Sequence, residues 1–251
     1  PCTPMCGPFL RCSAKNPVAV LELRRNVLTA LASFLRRPEF ALISLSLGRD
    51  IDDALPFVWS RFKVVPRYTY LIDLRQSRNA RMGSMSVARR NDLSKATRDG
   101  LAAVQANDYR VVRELVRDGF IRNGLGGNDE LLDAIFGQFA KPENCYGFVT
   151  MRNDEPLAAA FVIHDKRTAY YILGGYRATN GHHGAGALAL ANAIEHAAEL
   201  GLEVFDFEGS MIPAIERYFR GFGGKLHSYF TVNRAWLPLE LMLKLYKRHI
   251  F

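Results

Sequence analysis

The chain has 251 residues, with 33 Lys+Arg against 25 Asp+Glu, a net charge of +8 and 49% hydrophobic residues. That is one large or two modest domains with enough apolar material for a real core, which excludes disordered, collagen-like and low-complexity classes. The basic balance favours anionic partners (nucleic acid, phosphorylated cofactors, membrane surfaces) without choosing among them.

Cys2, Cys6, Cys12 and Cys145 are too few and too unevenly placed for a disulfide framework, and no C-x-x-C pair suggests zinc or redox work. A reduced, cytoplasmic compartment is therefore expected. The apolar stretches at 18–35 and 237–245 are interrupted by charges, so no transmembrane segment is expected. The opening Pro-Cys-Thr-Pro-Met-Cys-Gly-Pro has neither an initiator Met nor the plan of a signal peptide, which predicts that the sequence begins inside something longer.

In chain order, residues 17–36 carry a helical apolar stripe, 40–47 read as a buried strand closed by Gly48, 52–59 as a short helix and 62–74 as a Val- and Tyr-rich strand. A basic helix at 78–98 leads to a strand at 101–105 and helices at 108–122 and 129–139. Strands at 146–152, 157–164 and 168–174 follow, joined by turn formers at 153–156 and 165–167. The chain closes with a helix at 186–200, a strand at 203–207, a helix at 212–220, a strand at 225–232 and an amphipathic basic helix at 237–251. The order helix, strand, helix, strand of the first 75 residues thus recurs 160 residues later, Trp59-x-x-Phe62 matching Phe219-x-x-Phe222. This predicts a duplicated unit in which Trp59 and Phe219 pack equivalently.

Gly181-His182-His183-Gly184-Ala185-Gly186 joins a strand to the Ala-rich helix at 186–200. A Gly-rich loop at a helix start leaves N–H groups free and aims the positive dipole end outward, which suits a pyrophosphate; a tight connection that binds nothing is the alternative. Asp206 and Glu208 alternate with Phe205 and Phe207, so both carboxylates are expected on one side of a strand, where either could orient or deprotonate an amine or else serve as a structural partner. Ser210 opens a second helix start. Tyr176 and Tyr218 are candidate leaving-group acids or packing residues, and Lys225 could reach an anion or stay solvated. His182 and His183 are adjacent, whereas a helical metal pair needs a spacing of three or four, so no metal is expected. Between 75 and 99 seven basic residues face two acids, and Arg89, Arg90 and Lys95 are expected on a cationic ridge for tRNA phosphates or a small anionic acceptor, a solvated face being the alternative.

The strand, Gly-x-x-Gly-x-Gly loop and helix, followed by Phe205-Asp206-Phe207-Glu208-Gly209-Ser210 and Arg217-Tyr218-Phe219-Arg220-Gly221-Phe222-Gly223-Gly224, resemble the Fem-type branch of the GNAT acyltransferase superfamily. Pro66-Arg67-Tyr68-Thr69-Tyr70-Leu71-Ile72-Asp73-Leu74 and Arg90-x-x-Leu93-x-Lys95-Ala96 resemble segments of the same branch; the likeness covers 64–234 well. The resemblance implies a mixed α/β (α+β) fold of tandem GNAT-like domains: an N-terminally incomplete one at 1–75 and a complete one at 76–251. It also implies an N-acyltransferase moving an acyl or aminoacyl group from acyl-CoA or a related donor to an amine on a small molecule, sugar or peptide. The donor would be held by Gly181, His183, Gly184, Ala185 and Gly186. Asp206, Glu208 and Tyr218 would be catalytic, and Arg89, Arg90, Tyr176, Ser210 and Lys225 would contact substrate. Gly181 stands where the superfamily usually has Gln or Arg, and Fem-type relatives that use aminoacyl-tRNA do not need CoA. Two alternatives follow: an aminoacyl-tRNA-dependent transferase of envelope synthesis, with the terminal helix resting on a membrane, or a non-catalytic cationic binding protein.

Overall fold

The computed structural model describes residues 7–13, 15–124, 126–179, 181–209 and 211–246. Cys2, Cys6, Ser210 and the end of the expected terminal helix (247–251) lie outside the described residues. The chain divides into two units, Pro1–Thr69 with His227–Phe251, and Tyr70–Leu226.

In the first unit α1 (Pro17–Leu35) starts at Asn16, whose side chain accepts the Val18 and Ala19 N–H groups at 2.8 and 3.4 Å. Pro17 occupies the first helical position, where no N–H is needed. Strand β1 (Leu42–Ser46) pairs antiparallel with β8 (Lys225–Ala235). That pairing brings 227–251 into the N-terminal unit, a division different from the expected 1–75 and 76–251. Leu28, Ala32, Ile43, Leu47, Phe57, Phe62 and Val232 form the core. The expected equivalence of Trp59 and Phe219 does not hold: Trp59 is 62% exposed and Phe219 7%. In the short α2 (Leu55–Trp59) it is Phe57 that turns inward, edge-on to Phe62 at 5.5 Å. Helix α9 (Leu237–Tyr246) buries no residue and exposes Leu237, Leu241, Leu245 and Tyr246.

The second unit is built on the end of β2 (Lys63–Asp73), then β3 (Ala102–Gln105), β4 (Cys145–Arg152), β5 (Glu155–His164), β6 (Thr168–Tyr176) and β7 (Val204–Asp206). Their spatial order is β2-β7-β6-β5-β4-β3. Every neighbouring pair is antiparallel except β6 with β7. The expected single basic helix is two, α3 (Arg78–Ser84) and α4 (Val87–Arg98). Met85 between them is extended and buried, and the Ser86 hydroxyl accepts the Arg89 N–H at 3.2 Å to start α4 afresh.

Helix α5 (Arg110–Arg122) lies against β6 so closely that a Cβ on Gly175 would collide with the Leu115 carbonyl. It is followed by α6 (Asp129–Asp133) and a π-helical turn at Ala134–Phe139. Helix α7 (Ala185–Glu199) buries Ala185, Ala187, Ala189, Ala193 and Ala197, small residues that let it sit low on the sheet. Two buried hydroxyls on β4 fix its height: Thr150 donates to the Ala185 carbonyl and Tyr146 to that of Ala193, both at 2.8 Å. Helix α8 (Pro213–Arg220) buries Phe219.

Three pairs of the β1–β8 ladder reappear in the second unit. Ser44–Asn233, Leu45–Val232 and Ser46–Thr231 correspond to Val204–Asp73, Phe205–Ile72 and Asp206–Leu71, residues 160 later and 160 earlier. This register is consistent with a duplicated unit, in which each copy takes the last strand of the other.

Candidate functional site

Strands β6 and β7 are paired only over Thr168–Tyr170 and Val204–Asp206. Beyond Tyr170, β6 runs on alone on that side to Tyr176, with a bulge that leaves Ile172 without a counterpart on β5. The two parallel strands therefore part at their C-terminal ends, the place where ligands enter α/β sheets. Helix α7 begins beside it.

Two amides at the head of α7 are engaged within the loop itself. Of the N–H groups expected to face an anion, that of Gly184 donates to Nδ1 of His182 at 3.1 Å and that of Ala185 to the His182 carbonyl at 2.9 Å. The imidazole is tied on its other side by Nε2 to Oδ2 of Asp99 at 3.1 Å. Gly184 is required for packing: a Cβ there would overlap the Asp92 carbonyl of α4. Gly184→Val is therefore expected to destabilise the fold by about 1–3 kcal/mol, the usual cost of overpacking, rather than act as a donor-site block in an intact protein. A thermal melt checks this; an unchanged melting temperature would contradict it.

Above the loop lies a connected cluster. Arg89, expected on an exposed ridge, is nearly buried: its Nη1 pairs with Asp92 Oδ2 at 2.7 Å, and its guanidinium lies over the Tyr218 ring at 4.3 Å and the Phe222 ring at 5.2 Å. Asp92 Oδ1 stands 3.6 Å from Nε2 of His183, a half-exposed ring stacked on His182. The Tyr218 hydroxyl lies 3.4 Å from where a Cβ of Gly186 would be, against the first turn of α7. Burial, and next the neighbouring Tyr171, push its pKa well above the ordinary tyrosine value of 10.0, against the pull of Arg89. Tyr171 on β6 is pushed up to about 12 by burial. The cluster thus holds a neutral phenol beside an aromatic-shielded cation at the first turn of α7.

The ridge itself is a correction. Arg90 donates to the carbonyls of Gly83 and Met85, Arg75 pairs with Asp73, and Arg81 and Arg78 with Glu195. Arg81, Arg89 and Arg90 are thus engaged within the fold, while Arg75, Arg78, Lys95 and Arg98 remain exposed. The carboxylate pair is a second correction, because β7 stops at Asp206. Its buried side chain accepts the Glu208 N–H at 2.8 Å, and Glu208 turns left-handed (φ 59) with Gly209 (φ 77). Asp206 and Glu208 therefore do not share one strand face. Tyr176 is exposed, with the Arg122 guanidinium 4.0 Å from its ring centroid and donating to the Tyr176 carbonyl at 3.1 Å. Lys225 and Gly181 are exposed. Sequence reasoning missed Asp92, Asp99 and Tyr171. The signal for the first two was present: they are the two acids of the basic segment, seven apart, hence on one helix face.

Among the described residues there is no group of three or more metal-ligating side chains, and no helix is long and apolar enough to cross a membrane. A family model described as an acetyltransferase (GNAT) domain matches residues 75–220. No curated protein sequence matches the chain. Among solved structures the chain is similar to FemX, with TM-score 0.64 and 11% identity over 91% of this chain and 80% of that one. It is also similar to the C-terminal domain of a candidate lysylphosphatidylglycerol synthetase from Agrobacterium fabrum (TM-score 0.58, 15% identity, 87% and 75% covered). A third neighbour is L-PGS from Bacillus licheniformis (0.52, 11%, 94% and 79%). At these identities the likeness is one of fold.

Proposed function

The chain belongs to the acetyltransferase (GNAT) domain family, and from that premise we propose that it is an N-acyltransferase whose donor is an ester of the aminoacyl-tRNA kind and whose acceptor is an amine. The observation that carries this reading is Tyr218, a phenol held protonated well beyond neutral pH, its hydroxyl against the first turn of α7. Acyl transfer forms a C–N bond to the amine and breaks the bond between the acyl carbon and its leaving group, and the proton the amine gives up restores the one that the phenol delivers to the leaving oxygen. A thiolate departs readily, whereas a ribose alkoxide is strongly basic and needs a proton as it leaves, so a weakly acidic phenol suits the ester. The bared edge of β6 offers backbone donors and acceptors to the substrates, and its N–H groups are the natural stabilisers of the carbonyl oxygen as it gains charge.

Acyl-CoA, the donor usual in the superfamily, fits these residues poorly. Its pyrophosphate needs the amides of the loop, and those of Gly184 and Ala185 are already bonded to His182, with the Asp92 carbonyl packed behind Gly184. The neighbour named for lysylphosphatidylglycerol synthesis makes, by that name, an aminoacylated product, which agrees with an aminoacyl donor here. The exposed apolar residues of α9 suit a peripheral membrane contact near an envelope acceptor. The internal pairing of Arg81, Arg89 and Arg90 counts against the alternative of a purely cationic binding protein, which is left with the exposed Arg75, Arg78, Lys95 and Arg98.

The test offers the purified protein a pool of radiolabelled aminoacyl-tRNA and, separately, radiolabelled acetyl-CoA, each with the small amines of a dialysed cell extract. Labelled amide is expected from the tRNA pool. Amide formed from acetyl-CoA alone would overturn the ester donor, and none from either would overturn the acyltransferase reading.

A further inference from the structure

We propose that His182 is a built-in plug on the anion-binding amides at the head of α7, and that it is the residue excluding pyrophosphate-bearing donors such as CoA. This deepens the ester-donor reading and rests on it. The side chain of His182 is only 9% exposed, although it sits in a Gly-rich connection where an imidazole could point to water. It is held on three sides: Nδ1 accepts the Gly184 N–H, Nε2 meets Asp99, and the ring stacks on His183 at 4.7 Å with 22° between planes.

Since Nδ1 is an acceptor, the ring hydrogen is on Nε2, and Asp99 is the partner that keeps it there. The Asp99 carboxyl is held below its usual range, first by this hydrogen bond and then by the nearby Lys95 and Arg98, so it stays ionised and the tautomer stays fixed. The His182 carbonyl completes the closure by taking the Ala185 N–H. The neighbouring histidine does nothing of the kind: its ring is half-exposed, stacked on His182 and 3.6 Å from Asp92.

An incoming diphosphate would have to expel the imidazole from the Gly184 amide and settle beside the Asp99 carboxylate and the Asp92 carbonyl. Selectivity against CoA then comes from the loop's own side chain, an instance of discrimination by an occupied site.

The experiment is calorimetric titration of free CoA into wild type, His182→Ala and His182→Asn. Asparagine can still accept the N–H two residues on and so keep the loop closed, whereas alanine cannot. His182→Ala is expected to bind CoA about tenfold tighter than wild type, the effect of one freed hydrogen-bonding amide, and His182→Asn to behave as wild type. Should His182→Ala not fold, Asp99→Ala, which releases the ring from its tether, is expected to tighten binding in the same direction. No tightening in the folded variants, or equal tightening by alanine and asparagine, overturns the plug. The two ideas fail separately. Transfer from aminoacyl-tRNA without any gain in CoA binding sinks the plug alone, and a gain in CoA binding without transfer from aminoacyl-tRNA sinks the ester-donor reading alone.

Discussion

Tyr218→Phe is expected to lower kcat for acyl transfer by roughly a hundred-fold or more, with little change in KM, because a general acid acts only as the leaving group departs. The substitution keeps the ring under Arg89, a 4.3 Å contact that joins α8 to α4, and against Phe222 at 5.3 Å, so melting should be close to wild type. The pH profile adds a second reading. With its pKa raised above 10.0 by burial, the phenol remains loaded through neutral and mildly alkaline pH, and no alkaline loss of rate attributable to this group is expected there. Steady-state kinetics with the ester donor decides the matter: an unchanged kcat would remove Tyr218 from the chemistry and leave it as packing.

Arg81→Met is expected to destabilise the protein by about 3–5 kcal/mol, the cost of leaving one member of a buried ion pair without the other. Arg81 is 6% exposed. Its guanidinium pairs with Glu195 of α7 and donates to the carbonyls of Leu74 and Gln76, so one side chain joins α3, the end of β2 and the helix that opens the site. Met keeps much of the volume but satisfies none of these oxygens. The double variant Arg81→Met with Glu195→Met should recover a large part of the loss, since no charge is then buried alone. Urea unfolding checks both, the midpoint falling in the single variant with the slope unchanged. A single variant as stable as wild type would show that the pair contributes nothing net.

Several local features were legible in advance because their causes lie within a few residues. Asn16-Pro17 starts α1, the turn formers at 153–156 and 165–167 separate β4, β5 and β6, and the Ala-rich run gives α7, all near the expected bounds. The family resemblance was legible for a similar reason, since it rests on contiguous motifs from 170 to 224. Legibility failed within this local range at Met85, where a buried apolar residue and the cap at Ser86 broke a helix that periodicity alone had joined.

The amino-acid sequence by itself determined the order of elements, the Gly-rich entry to α7 and the presence of a phenol, carboxylates and arginines in the segments that build the site. Only the tertiary structure decided what those groups do, because each answer depends on partners remote in the chain. Arg81 finds Glu195 across 114 positions and His182 finds Asp99 across 83. Those contacts draw part of an expected cationic ridge inside the fold and tie His182 where it engages the Gly184 amide of an expected open anion loop. Composition counts charges and glycines. Whether a charge is spent inside the fold, or an N–H is already bonded, is settled by desolvation and hydrogen-bond geometry, which exist only once the helices have packed on the sheet.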